Sequence, residues 1–280
     1  MAQHKTDLPV PVHLRPQEAA DLPGVLELIN EMRLPGEAVL RPAAYQHLTA
    51  QGRVTVHVGM DPLGRVLGAM GTSLRAGDGS GLIHWLYARQ DAPHITAALL
   101  SQACTTLGPR RLYAFSEPGP SALAAVPGLP IGHRYRLADA LMGARFIPCS
   151  SQRFLLLDDL TYLEQPVAAR GGEPPTKVTA LGRNRGWLLA KRQGKAVVAS
   201  AVLLAPREGT ALLWQLHVSS RHRRRGMGSR LLGQCLDLAD ANGAQRVAAY
   251  ADRDDSALYH MLLAHHFCLV DTLVAYRRGP

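Results

Sequence analysis

The sequence predicts an α/β fold in two tandem halves, each a central mixed, mostly antiparallel sheet flanked by helices. Three observations predict it. Short β-rich runs alternate with amphipathic helical stretches along the whole chain. The stretch EQPVAARGGEPPTK, residues 164–177, has three prolines, two glycines and no sustained periodicity. The order of elements before that stretch returns after it. The halves are therefore residues 10–162 and 178–280, joined by a linker at 163–177. With 280 residues, 47% of them hydrophobic, the chain can bury the cores of two modest domains.

Each element follows from its local pattern. PVHLRPQEAADLPGVLELINEM reads as a short strand at Val12 to Leu14, a turn at Arg15-Pro16, and a helix with Leu22, Val25, Leu26 and Ile29 on one face. VTVHVGM and GRVLGAMGTSL are strand-like runs around the turn Asp61-Pro62-Leu63-Gly64, a hairpin signal. WLYARQDAPHITAALLSQACTTLGPRRLYAF runs as strand, turn, helix, glycine stop and strand; LADALMGARF is then helical and QRFLLLD extended.

Beyond the linker, GWLLAKRQGKAVVASAVLLA is a hairpin about Gln193-Gly194, and ALLWQLHV is a strand. A helix from Gly228 aligns Leu231, Leu232, Cys235, Leu236 and Ala239, with Asn242-Gly243 as its stop. RVAAYA is a strand, DDSALYHMLLAHHF a short helix, and LVDTLVAYRR the final strand. Laid over one another, the halves share this order, which points to a distant tandem duplication.

Composition narrows the function. Lys plus Arg number 31 against 22 for Asp plus Glu, a net charge of +9 that suits an anionic ligand, an acidic partner or nucleic acid. Aromatic residues are only 5% of the chain, a poor supply for base-stacking platforms. Cys104, Cys149, Cys235 and Cys268 form no CxxC pair and no metal-ligand spacing with histidine, so they read as small buried hydrophobes in a reducing compartment. MAQHKTDLPVPVHLRP has no apolar core of a signal peptide, and no apolar run approaches a membrane span, so a soluble cytoplasmic protein is expected.

The chemistry concentrates in RHRRRGMGSRLL, residues 221–232, between a strand and an amphipathic helix. Gly226 and Gly228 carry no Cβ, so backbone can approach a phosphate closely while the amides of a helix N-terminus point at it. Arg223, Arg224 and Arg225 add charge and a bidentate fork. GxxxxGK[ST] is absent, and GxGxxG fails because Leu231 stands at the third glycine.

The hexapeptide Arg223-Arg224-Arg225-Gly226-Met227-Gly228 resembles the acyl-CoA turn of the GNAT (GCN5-related N-acetyltransferase) superfamily, whose signature is Gln or Arg, two residues, Gly, one residue, then Gly or Ala. The likeness extends over residues 187–278: a strand ending in Val218, the loop, the long helix, RVAAYA, a short helix ending near Phe267, and a last strand. Residues 12–160 resemble a degenerate second copy, since LRPQEAADLPGVLELIN is similar to the family's first strand and helix. The resemblance implies two tandem GNAT-like domains with one acyl-CoA site, in the C-terminal half. The amides of Arg224, Arg225, Gly226, Met227, Gly228 and Ser229 would cradle the CoA pyrophosphate, and the backbone of Leu216 and Val218 would pair with the pantetheine arm. The implied reaction is direct attack of an acceptor amine on acetyl-CoA, which needs an oxyanion donor, a route for the ammonium proton and an acid for the leaving thiolate.

The sequence departs from the family at that acid. Anchoring on Phe267 puts Leu262 where the family carries its tyrosine and His266 at its glycine. Tyr259, three residues earlier and on nearly the same helix face, is the candidate substitute. Asp255 is expected to cap the short helix. His217 is the candidate base, alternating to the face opposite Leu216 and Val218. His260, His265 and His266 do not converge and no carboxylate completes a set, so no metal is expected. ARQDAPHITAALL in the first half lacks GxG and contains Pro93, so no CoA is expected there.

The acceptor is expected to be a small-molecule or peptide amine, with no membrane partner. The alternatives are a non-catalytic CoA-binding sensor or scaffold, suggested by the missing tyrosine, and a basic nucleic-acid binder held by the arginines.

Overall fold

A computed structural model describes residues 13–51, 54–117, 128–160, 176–182 and 185–280. The chain divides into two compact units. The first takes the described residues through Arg33, those of Val39–Ser150, and Leu273–Pro280; the second takes Leu34–Ala38 and the described residues of Ser151–Thr272.

In the first unit β1 (His13–Pro16), α1 (Leu22–Glu31), α2 (Pro42–Gln51), β2 (Thr55–Met60), β3 (Val66–Leu74), β4 (Gly81–Ala88), α3 (Pro93–Leu107), β5 (Leu112–Ala114), β6 (Leu129–Pro130) and α4 (Tyr135–Gly143) follow in order, and β7 (Ile147–Leu157) leads out of it. Strands β1 to β4 pair antiparallel with their neighbours, and β5 lies parallel to β4. One face of this sheet carries a core of Met70, Ile83, Leu86, Ile95, Leu99 and Leu141 under α3 and α4. The other carries Val25, Leu28, Ile29, Tyr45, Trp85 and Tyr87 under α1 and α2. Of the expected face of α1, Val25, Leu26 and Ile29 are buried with Leu28 added, while Leu22, at the helix start, is only partly buried; the hairpin about Asp61 closes with Gly64 N–H donating to the Asp61 carbonyl.

In the second unit β8 (Thr176–Ala180), β9 (Gly186–Gln193), β10 (Ala196–Arg207) and β11 (Thr210–Val218) form an antiparallel run. After α5 (Met227–Ala241), β12 (Arg246–Asp252) lies parallel to β11; α6 (Ser256–Ala264) and β13 (Cys268–Arg278) complete the chain. Leu231, Leu232, Cys235, Leu236 and Ala239 of α5 are each at most 1% exposed, packed on Ala199, Ala201, Leu203, Ala211 and Leu213 of the sheet. Gly243 at φ 79° ends the helix as its glycine stop requires.

Both units repeat one pattern: four antiparallel strands, a parallel fifth, and an antiparallel sixth. The sixth strand is exchanged. In the second unit it is the end of β7, with Gln152 to Leu157 against Asp252 to Val247. In the first it is the end of β13, with Tyr276, Arg277 and Arg278 against Ala114, Tyr113 and Leu112. Val274 and Tyr276 belong to the first unit's core. The structural division therefore differs from the halves 10–162 and 178–280: it cuts at Ser150/Ser151 and Thr272/Leu273, and also gives Leu34–Ala38 to the second unit. Most of the expected linker, 163–175, lies outside the described residues, and Thr176 and Lys177 open β8.

The cysteines correct one expectation. All four are free, yet only Cys235 is buried, where desolvation pushes its thiol up to about 12; Cys149 and Cys268 are exposed and Cys104 is half-buried. Exposure follows position. Cys268 opens β13 and Cys149 lies on the outer stretch of β7, before its buried run Phe154 to Leu157.

Candidate functional site

The site begins with a fault in a strand ladder. In β10 and β11, Val202 faces Gln215 while Leu203 faces Leu213, so Trp214 is the extra residue of a β-bulge. The parallel pairing of β11 with β12 stops there as well: Thr210 to Leu213 match Arg246 to Ala249, and no later residue of β11 is paired to β12. The two strands part beyond this point, leaving a wedge with one edge of β11 open.

Alternation along β11 says which groups face the wedge. Ser219 N–H donates to the Val198 carbonyl on β10 at 2.9 Å, so the backbone of His217 also turns toward β10, while that of Leu216 and Val218 turns to the open edge. Arg223 Nε donates to the Val218 carbonyl at 3.0 Å. The amide of Val218 and both backbone groups of Leu216 then remain for an extended ligand.

At the mouth of the wedge lies the loop into α5. Arg224 at φ 60° and Gly226 at φ 73° both adopt the left-handed conformation, which turns successive N–H groups into a concave nest. Among the described residues the amides of Arg224 through Ser229 donate to no protein acceptor; the first bonded amide of the helix is Arg230, which donates to the Gly226 carbonyl. The helix dipole adds its positive end at the same place.

Much of the basic run is occupied in shaping this loop. His222 Nδ1 meets Ser219 Oγ at 2.8 Å and its Nε2 meets Gln193 Oε1 at 3.0 Å, tying the loop to the β9–β10 turn. Arg230, only 9% exposed, donates through Nη2 to the Arg225 carbonyl at 2.8 Å. Sequence reasoning missed Arg230. Its signal was an arginine in the first turn of a helix, on the apolar side of that turn.

The two glycines serve different ends. Gly226 needs its left-handed φ, and a Cβ there would lie 2.8 Å from Arg230 Nη1. Gly228 has no such backbone demand; a Cβ there would meet Met261 Sδ at 3.0 Å, with Val218 and Leu216 methyl groups at 3.6 and 3.8 Å. It lets the first turn of α5 lie close against β11 and α6.

Tyr259 is half-buried on α6 at the border of the core, and the Arg153 guanidinium lies 4.2 Å over its ring. Its hydroxyl has no hydrogen-bond partner among the described residues. Arg153 Nη1 is buried without a partner as well, a feature that only the fold could reveal, since β7 comes from far earlier in the chain. Leu262 is fully buried in the core and His266 takes the left-handed φ of 63° that normally calls for glycine.

Asp255 Oδ1 accepts Leu258 N–H at 3.0 Å, the expected cap. His217 is exposed, on the sheet face opposite Leu216 and Val218, which pack against the core on the α5 side. The structure therefore does not bring His217 and Tyr259 to one face. His265 is half-buried, and burial, then the neighbouring His266, holds its pKa below the usual imidazole value. Among the described residues no group of three His, Cys, Asp or Glu side chains is disposed to hold a metal. No helix among them is long and apolar enough to cross a membrane.

Comparison with known proteins bears on the same region. Residues 157–267 match the Acetyltransferase (GNAT) family, a stretch that includes the bulge, the nest and α6. No curated protein matches the sequence. Among solved structures, a GCN5-related N-acetyltransferase from Sphaerobacter thermophilus is similar over 95% of each chain, with TM-score 0.64 and 10% identity. A tandem GNAT protein from the clavulanic acid biosynthesis pathway is similar over 96% of this chain and 99% of its own, with TM-score 0.63 and 14% identity. A glucosamine N-acetyltransferase region of a fungal multi-domain GH3 beta-N-acetylglucosaminidase is similar over 97% of this chain and 38% of its own, with TM-score 0.65 and 13% identity. At such identities the likeness is one of fold, and it spans both units.

Proposed function

We propose that this chain, which carries a GNAT domain at residues 157–267 and has the fold of tandem GNAT proteins, is an N-acetyltransferase that moves an acetyl group from acetyl-CoA to an amine. The observation that carries the proposal is the nest of unpartnered amides from Arg224 to Ser229, set at the mouth of the wedge that the Trp214 bulge opens. A pyrophosphate needs several convergent N–H donors and a positive field, and the nest supplies both. An extended pantetheine arm needs a strand edge, and Leu216 and Val218 offer theirs. Arg223, Arg224 and Arg225 surround the loop with charge that draws in a polyanionic donor.

Chemistry then requires that a neutral amine reach the thioester and that the thiolate leave protonated. Tyr259 is the group assigned to protonate the thiolate, its ring held under the Arg153 guanidinium. His217 is the group assigned to receive the amine's proton, through water where the geometry separates them. The acceptor is a small-molecule or peptide amine. The first unit is assigned no CoA: Pro93 stands at the start of α3 and no left-handed nest precedes it.

Isothermal titration with acetyl-CoA, paired with thiol release across a panel of amines, tests this. Saturable binding with thiol release for at least one amine is the expected result. A second reading, a CoA-binding module without catalysis, is favoured by Leu262, an inert core residue at the family's acid position; binding with no release across the panel would select it. Failure to bind acetyl-CoA would overturn both.

A further inference from the structure

The bulge that opens the wedge in the second unit has a counterpart in the first. Gly71 faces Trp85 and Thr72 faces Ile83, so His84 is the extra residue in β4. Being out of register, His84 turns toward β3 instead of pairing, and its Nε2 lies 2.7 Å from Ser73 Oγ. On its other side Nδ1 faces Glu117 Oε2 at 3.9 Å, just past β5. Glu117 is in turn held by Arg75 Nε at 3.4 Å, and Arg75 lies 4.6 Å over the Tyr113 ring. A hydroxyl, an imidazole and a carboxylate thus stand in line, in the order that activates a nucleophile.

We propose that Ser73, His84 and Glu117 form a second reactive centre, separate from the CoA site, in which Ser73 is a nucleophile toward short-chain acyl esters. The proton on the ring is favoured at Nδ1, where the Glu117 carboxylate attracts it, and that leaves the Nε2 lone pair for the Ser73 hydroxyl. His84 is 11% exposed in its side chain against 37% for Glu117, and burial holds its pKa below the usual imidazole value. It is therefore neutral at pH 7 and able to take a proton.

The step balances without any other cofactor. Ser73 Oγ bonds to the ester carbonyl carbon as its proton passes to His84 Nε2. The carbon–alkoxide bond breaks and the alkoxide leaves with that proton. Water then attacks the acyl-serine, giving a proton to His84, and Ser73 recovers it as the carboxylic acid departs. The sum is ester plus water to acid plus alcohol.

The test uses the full-length protein and a fluorophosphonate probe, read by intact mass and peptide mapping, with p-nitrophenyl acetate as the ester. A single adduct on Ser73 is expected, absent in Ser73→Ala, with ester turnover lost in the same variant and its melting temperature and acetyl-CoA binding unchanged. His84→Gln should slow labelling by about 100-fold, the scale of a general base. The wild-type labelling rate should rise with pH through a midpoint below about 6.5. The groups around the ring that bear on this are Ser73 of β3, Arg75 and Asp78 of the turn that follows it, and Glu117. No adduct, an adduct elsewhere, or a rate unchanged in folded His84→Gln would overturn the proposal.

Discussion

At the scale of single residues, the left-handed φ of Gly226 is what gives the nest its shape. A β-branched side chain in that conformation costs about 1–3 kcal/mol, roughly a fivefold to 150-fold change in an equilibrium constant. Gly226→Val also displaces Arg230 from the Arg225 carbonyl, so acetyl-CoA affinity should fall by at least that much in titration calorimetry. Gly228→Val should abolish binding by another route, forcing α5 away from Met261, Val218 and Leu216. Arg221→Ala should leave binding near wild type, since no shaping contact of the loop uses that side chain. Tyr259→Phe should lower kcat by about 100-fold with KM for acetyl-CoA little changed, because the ring and its contact with Arg153 survive and only the proton is lost.

Elements differ in how far sequence alone reveals them, and the reason is where their information lies. The α5 face from Leu231 to Ala239, the Gly243 stop and both hairpins were legible because 3.6- and 2-residue periodicity and turn glycines are local signals. Helix α2 was not foreseen: PAAYQHLTAQ has no apolar stripe and is anchored by Tyr45, 2% exposed, whose hydroxyl donates to Gln17 Oε1 at 2.7 Å. The nest was legible as Gly226 and Gly228, but the Trp214 bulge was not, because a bulge is a property of two strands in register. Nor could the sequence assign the end of β13 to the first unit. Deleting Leu273–Pro280 removes Val274 and Tyr276 from the first unit's core and uncovers β5. Amide exchange in β3, β4 and α3 should then accelerate well before exchange in β9 and β10, whose pairings do not involve that segment.

For the whole molecule, charge and burial set a pH dependence that neither unit escapes. Burial depresses the pKa of His57 and His84 in the first unit and of His265 in the second. His57 is 7% exposed and its Nδ1 has no partner, so a proton there would be both desolvated and unpaired. In an unfolded chain these imidazoles titrate near 6.5. Between that value and their lower folded values the unfolded chain binds more protons, so stability is fully present above about pH 6.5 and falls as pH drops through the window. A second loss belongs to Asp21, held low by the Arg15 guanidinium at 2.7 Å, and to Asp78, held low by Ser80; it begins below about 3.9, where unfolded aspartates take up protons. Thermal melts from pH 8 to pH 3 should therefore show a plateau, a decline that sets in below about pH 6.5, and a steeper fall below about 3.9. His57→Gln should make the first decline shallower, leaving the shares of His84 and His265 and the whole of the second decline in place, because a neutral amide at that position has no proton to gain.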